Sequence, residues 1–222
     1  MELNQTMTEE EILDHTTAFV QHELRESERG HDWWHVLRVY QNAMKIVESE
    51  PGDPFIIRLA ALLHDIADAK FFGGDESIGP SKARDFLTKL GVRPSVTDQV
   101  ITIIENISYK SNLDSRAIRS PELDIVQDAD RLDALGAIGI ARAFHYGGYK
   151  NREIYNPDLP PETELTGEKY KKSTAPTINH FYEKLLRLKD LMNTPTGKRM
   201  AVERHRFMEE FLHRFYKEWE GG

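Results

Sequence analysis

Two residues that commonly bind metals, His64 and Asp65, stand next to each other at the end of the apolar stretch 55–63. A further histidine, His35, lies upstream, and a further carboxylate, Asp130, lies downstream. Two imidazoles and two carboxylates suit Mn²⁺, Mg²⁺, Fe²⁺ or Ni²⁺ in six-coordinate geometry better than a closed tetrahedral zinc site. Such a set could hold one divalent cation and leave positions for water and a phosphate oxygen. The four residues therefore predict metal-assisted chemistry on a phosphate compound.

Other polar residues near these four could take part in the same chemistry. Asp68 follows the histidine–aspartate doublet by one helical turn on the same face, where it could orient water, deprotonate it, or protonate a leaving oxygen. Asp133 shares a face with Asp130, so it could contact substrate or support a ligand by a hydrogen bond. Asp128 is predicted to face solvent. The cations that could bind a phosphate tail, or else belong to solvated helix faces, are Arg38, Lys70, Lys184 and Lys189.

Signals for helix starts recur along the chain, whereas the alternation typical of a strand is hard to find. Thr8 with Glu11 fits a capping box, Asp32 can cap the helix of His35, and Asp53-Pro54 and Ser120-Pro121 each combine a cap with proline at the first helical position. The helix that begins after Asp53 should carry the doublet and run to about residue 70. The helix that begins at Pro121 should carry Asp130 and reach about residue 145, before Gly147-Gly148.

The remainder of the pattern completes an all-α prediction. Residues 149–174 contain three prolines and few aliphatic side chains, which indicates a long irregular surface segment; whether it acts as a lid stays open. Two helices close the chain, and the last carries an apolar stripe from Met200 to Trp219 that is either core or a dimer face. No linker-like segment divides the sequence, so residues 1–222 are predicted to form a single domain.

Composition excludes several classes of function. The net charge of −8 argues against a nucleic-acid polymer and against an anionic membrane as partner, but not against a small anionic substrate near a bound cation. The absence of cysteine excludes disulfides and thiolate metal sites. The first thirty residues lack a signal sequence and no apolar run approaches the ~20 residues of a membrane span, so we expect a cytoplasmic protein. Its oligomeric state stays open, with a homodimer as one option.

Three segments carry a resemblance to a known family, namely HDWWHV at 31–36, LLHDIADAK at 62–70 and DADRLDALGA at 128–137. They resemble the HD superfamily of metal-dependent phosphohydrolases, an all-helical fold, and within it the small bacterial branch that includes nucleoside triphosphate pyrophosphohydrolases. The resemblance implies metal ligation by His35, His64, Asp65 and Asp130. It implies that Asp68 is the catalytic acid or base, although some relatives have glutamate there. Relatives with two metals use extra histidines before the last aspartate, and residues 66–129 contain none, which favours one metal.

The resemblance leads to one preferred function and two alternatives. The preferred function is hydrolysis of a (deoxy)nucleoside triphosphate to the monophosphate and pyrophosphate, with one divalent cation, Mn²⁺ or Mg²⁺ first and Ni²⁺ or Fe²⁺ next. The first alternative is a 5′-nucleotidase-type phosphomonoesterase. The second is a non-catalytic module that binds metal or nucleotide. The preferred base and sugar and the physiological metal stay open.

Overall fold

The computed structural model describes residues 7–25, 32–67, 75, 77–107, 118–162 and 174–222. Over these residues the chain forms nine α-helices and one 3₁₀ helix, and none of them lies in a β-strand. The all-α prediction is therefore confirmed. The α-helices are α1 Glu9–Glu23, α2 Trp33–Val47, α3 Pro54–Leu63, α4 Ile78–Lys89, α5 Pro94–Asn106, α6 Pro121–Asp133, α7 Gly136–Tyr149, α8 Thr177–Glu183 and α9 Pro195–Trp219, and the 3₁₀ helix is Leu185–Leu191.

The predicted helix starts are confirmed by the side chains that cap them. Thr8 accepts a hydrogen bond from the backbone N–H of Glu11, whose carboxylate accepts in turn from the Thr8 N–H. Asp32 caps α2 by accepting from the His35 N–H at 3.0 Å. Asp53 caps α3, and its Oδ1 accepts from the backbone N–H two residues later at 2.9 Å. Each cap satisfies backbone donors that have no carbonyl partner within the helix.

The chain divides into two compact units, residues 1–129 and 130–222. In the first unit, α3 is the central helix and packs against α1, α2 and α5. Every residue of α3 after Pro54 is buried except Arg58. The Arg58 guanidinium donates to Tyr40 Oη at 2.9 Å and forms an ion pair with Glu10, and this hydrogen-bonded pair raises the pKa of Arg58.

The expectation that residues 1–222 form a single domain stays a prediction.

In the second unit, α9 packs against α7 and the 3₁₀ helix, and α8 packs against α7. The apolar stripe of α9 is partly core, since Met208 and Leu212 are buried, whereas Trp219 is 54 % exposed. The described part of the irregular segment, residues 150–162, is tied to α8 by backbone bonds: Thr177 N donates to Glu153 O at 2.9 Å and the next N–H donates to Ile154 O at 3.0 Å. Residues 163–173 lie outside the described part of the chain.

Two predicted helix ends are wrong. The helix that leads to the doublet ends at Leu63, not near residue 70, and residues 68–70 lie outside the described residues. The helix that carries Asp130 ends at Asp133 rather than near residue 145. Gly136 has φ +70°, a left-handed conformation that suits glycine, and α7 begins there, so Gly147 and Gly148 lie inside α7 rather than after it.

Among the helices that the structure describes, none has the length and apolar character needed to cross a membrane.

Candidate metal centre

The end of α3 positions the first predicted ligand. His64 is the residue after the last helical one, and its Nδ1 lies 2.8 Å from the carbonyl oxygen of Ala61. Carbonyls in the last turn of a helix lack backbone donors, and a carbonyl can only accept, so Nδ1 must carry the proton. The other ring nitrogen, Nε2, then carries a lone pair, which is the form of the ring that can bind a cation. In a longer helix the Ala61 carbonyl would accept from the backbone N–H of Asp65.

The second imidazole comes from the first turn of α2. His35 is 3 % exposed, and its Nε2 lies 3.3 Å from Nε2 of His64. Two nitrogens bound to one ion at about 2.1 Å lie roughly 3.0 to 3.4 Å apart when the angle at the ion is between a right angle and the tetrahedral value. The observed separation falls within that range. The two rings meet edge to face, with an interplanar angle of 68°.

Carboxylate oxygens lie close to this pair of nitrogens. Asp65 Oδ2 is 3.8 Å from His35 Nε2, which is less than the roughly 4.2 Å that separates opposite ligands of one ion at bonds of about 2.1 Å. Asp130 lies on α6, which runs without interruption from the first unit, immediately after Ala129. One of its carboxylate oxygens and one nitrogen from each of His35 and His64 lie within 4.8 Å of one another. The mixed nitrogen and oxygen donors fit a divalent cation.

The other predicted site residues are placed as follows. Arg38 lies one turn after His35 on α2 and is partly buried. Lys184 follows the last residue of α8, and Lys189 lies in the 3₁₀ helix, where its Nζ is 3.2 Å from Nε2 of His205. Asp68 and Lys70 lie outside the described residues. The substrate and catalytic roles of all five predicted positions, Arg38, Asp68, Lys70, Lys184 and Lys189, stay predictions.

The last residues of α6 belong to the second unit and contact two arginines of that same unit. Asp133 is 1 % exposed and forms an ion pair with the Arg142 guanidinium, a contact that favours a supporting role over substrate binding. Arg204 Nη1 donates to Leu132 O at 2.6 Å. Burial lowers the pKa of Arg204, while the negative charge of Asp133 opposes that change. The substrate contact predicted for Asp133 stays a prediction.

Burial around α6 corrects one expectation. Asp128 is fully buried, although it was expected to face solvent. The run from Ile125 to Ala129 is buried at every position, so this helix is covered on most of its circumference and has no broad solvated face there.

Sequence reasoning missed two buried amides near the predicted ligands. Asn42 on α2 is 9 % exposed and donates through Nδ2 to Ala129 O at 3.2 Å. Gln127 on α6 is 3 % exposed and lies 3.3 Å from Ile107 O through Nε2. The available signal was an asparagine seven residues after His35, and therefore on the same helix face, among apolar neighbours.

Comparison with known proteins agrees with this geometry. The model of the HD domain family matches residues 33–135, which include all four predicted metal ligands. The YpgQ protein of Bacillus subtilis (strain 168) is 38 % identical over 97 % of this chain and 97 % of its own length. The chain belongs to the HD-domain superfamily.

Solved structures of similar HD-domain proteins cover nearly the whole chain. An HD-superfamily hydrolase from Bacillus thuringiensis is 45 % identical, with a TM-score of 0.78 over 97 % of this chain and 100 % of that one. The crystal structure of B. subtilis YpgQ in complex with ADP is 37 % identical, with a TM-score of 0.74 over 96 % of this chain and 97 % of that one. This HD-domain protein is accordingly a hydrolase of the HD superfamily, with a histidine and aspartate cluster that can bind a divalent metal.

Proposed function

We propose that this HD-domain protein is a metal-dependent phosphohydrolase that acts on nucleotides, and that it converts a (deoxy)nucleoside triphosphate to the monophosphate and pyrophosphate. The observation that supports this most directly is the 3.3 Å approach of the His35 and His64 Nε2 atoms, with carboxylate oxygens of Asp65 and Asp130 beside them. The binding of ADP by YpgQ supports a nucleotide as the ligand.

The cation would be held by His35, His64, Asp65 and Asp130. When bound, it lowers the pKa of coordinated water and neutralises charge on a phosphoryl oxygen. The Ala61 carbonyl keeps the His64 ring in the tautomer whose Nε2 can bind. The two carboxylates offset the charge of a divalent cation in a pocket where His35 is buried. One cation, Mn²⁺ or Mg²⁺, is the proposed cofactor.

In the proposed reaction, a carboxylate accepts a proton and cationic side chains bind the phosphates that leave. Asp68 accepts the proton of the attacking water. The new O–P bond forms at the α-phosphorus, the bond from that phosphorus to the bridging oxygen breaks, and pyrophosphate leaves with the electron pair. The cationic side chains predicted from the sequence, Arg38, Lys70, Lys184 and Lys189, bind the phosphate tail.

The test combines a substrate panel with identification of the leaving group. Protein stripped with a chelator is reloaded with Mn²⁺, Mg²⁺, Ni²⁺ or Fe²⁺, incubated with nucleoside tri-, di- and monophosphates of both sugars, and the products are separated by ion chromatography. We expect pyrophosphate from triphosphates, and no turnover in His64→Gln, while the exposed control His213→Gln keeps its activity. Orthophosphate from monophosphates would support the phosphomonoesterase instead. Tight binding without hydrolysis under every metal would support the binding module.

The same preparation tests the remaining expectations about the protein's state. Light scattering coupled to gel filtration distinguishes a monomer from a homodimer. Fractionation of cells that express the protein tests the expected cytoplasmic location.

A further inference from the structure

A buried asparagine links the two helices that carry His35 and Asp130. Asn42 lies seven residues after His35 on α2, so the two side chains leave the helix on the same face, two turns apart. Its side-chain amide is almost fully buried and donates to the carbonyl oxygen of Ala129 at 3.2 Å. Ala129 is the residue immediately before Asp130 on α6. The hydrogen bond therefore ends one peptide unit from a predicted metal ligand.

Two physical constraints allow this hydrogen bond to set the position of Asp130 relative to His35. The peptide unit is rigid, so the position of the Ala129 carbonyl limits where the Cα of Asp130 can lie. A buried amide without an acceptor costs free energy, which keeps α2 and α6 at the separation that the bond requires. The same separation sets the distance between the His35 imidazole and the Asp130 carboxylate.

We propose that Asn42 is a positioning residue of the metal centre, which holds Asp130 at the distance from His35 that a shared cation requires. The inference rests on the proposed function only in taking His35 and Asp130 as ligands of one ion. Asn42 contributes no ligand atom and acts through the backbone of α6.

The chain offers a matched control for a purely structural role. Asn179 on α8 is also a buried asparagine, 2 % exposed, and its Nδ2 donates to Leu159 O at 2.9 Å. Neither α8 nor residue 159 supplies a predicted metal ligand. If buried amides matter here only for stability, loss of either one should have the same consequences.

The test compares Asn42→Leu with Asn179→Leu, the same substitution at two buried asparagines, which removes the amide donor in each case. Thermal unfolding of the metal-free proteins measures stability, and titration with Mn²⁺ measures affinity. We expect both variants to lose stability, and only Asn42→Leu to bind Mn²⁺ more weakly, by about 10- to 100-fold, as is usual when a group that orients a ligand is lost. The visible absorption of Co²⁺ at saturating metal should also change in Asn42→Leu alone, because it reports coordination geometry.

A double-mutant cycle separates failure of this inference from failure of the proposed function. In an Asp130→Asn background, Asn42→Leu should cause no further loss of affinity, because its effect passes through the Asp130 side chain. Equal losses in both backgrounds, or an unchanged affinity and Co²⁺ spectrum in Asn42→Leu, would overturn the inference. Unchanged affinity in Asp130→Asn itself would instead refute the proposed ligand set. If Asn42→Leu does not fold, Asn42→Ala, which leaves room for water, is measured in its place.

Discussion

Replacing Asp65 with asparagine tests the metal centre by changing one charge and almost no volume. The Asp65 side chain is 17 % exposed, and its Oδ2 lies 3.8 Å from His35 Nε2. An asparagine there keeps a polar group in partial contact with water, so the metal-free protein should keep its stability to within about 1 kcal/mol. The neutral amide oxygen is a much weaker ligand for a divalent cation than a carboxylate is. The variant should therefore differ from the parent mainly when metal is present.

The size of that difference follows from linkage between binding and folding. Free metal at 100 times its dissociation constant stabilises the folded protein by about 2.7 kcal/mol. Loss of a group that only orients a ligand weakens metal binding by up to about 100-fold. If loss of the Asp65 carboxylate, a ligand itself, weakens binding by about the same factor, the same metal concentration stabilises the variant by only about 0.4 kcal/mol. The difference is about 2.3 kcal/mol. For a chain of 222 residues, this corresponds to a loss of roughly 5 to 9 °C in the metal-dependent rise of Tm.

Differential scanning calorimetry of both proteins, with a chelator and across a series of Mn²⁺ concentrations, measures this loss. Asp85→Asn is the control, since Asp85 is an exposed aspartate on α4, and it should retain the full metal-dependent rise. An equal rise in Asp65→Asn and the parent would refute the ligand role of Asp65. A large drop in Tm without metal would show that Asp65 is mainly structural.

Three further predictions concern catalysis, pH and packing. Asp68→Ala should bind Mn²⁺ as tightly as the parent by titration yet lose about 10²- to 10⁴-fold in turnover; full activity would refute its role as the base. Burial, together with the nearby charges of Lys184 and Arg152, lowers the pKa of His180 to about 3. Between pH 3 and about 6.5 the unfolded state therefore binds more protons than the folded state. The free energy of unfolding should fall as pH falls through that window, by up to about 1.4 kcal/mol per pH unit. His180→Gln should flatten this slope in urea unfolding measured from pH 4 to 7, and an unchanged slope would contradict the assignment. A Cβ on Gly147 would overlap the Thr177 hydroxyl, whereas a Cβ on Gly148 meets nothing within 4 Å. Thermal unfolding should therefore show Gly147→Ala destabilised by about 1–3 kcal/mol and Gly148→Ala slightly stabilised. Equal effects of the two substitutions would show that contact with Thr177 does not determine the cost of a side chain at residue 147.

The starts of the helices could be predicted from the sequence because the groups that cap them are side chains. Asp32 and Asp53 each precede a helix and accept its first backbone N–H groups, so the residue type itself marks the boundary. The residue types of the metal ligands are informative for the same reason. Several imidazoles and carboxylates among apolar neighbours indicate metal binding, because such polar groups are otherwise rare in apolar surroundings. The distances among His35, His64, Asp65 and Asp130 agree with a shared metal ion.

The helix ends could not be predicted in this way. After α6, the chain turns at Gly136 because φ there is +70°, while the glycine pair at 147 and 148 looks like a stronger stop but lies within α7. Which glycine ends a helix depends on its neighbours. At Gly147 the contact is the side chain of Thr177 thirty residues away, which no local pattern reveals. The burial of Asp128 has a similar origin, because it depends on what covers α6 rather than on the sequence around it.

The supporting contacts of the metal centre explain why its ligands are visible in the sequence and its geometry is not. His64 Nδ1 is fixed by the carbonyl of Ala61, and the Asn42 amide is fixed by the carbonyl of Ala129. Every residue carries a backbone carbonyl, so the identity of residues 61 and 129 contains no trace of these bonds. The information is held instead in the lengths and positions of α3 and α6. It follows that metal affinity should tolerate changes of side chain at residues 61 and 129 that preserve packing. It should not tolerate an insertion of one residue into α6 just before Ala129, which would rotate the Ala129 carbonyl by about 100° away from Asn42 on α2.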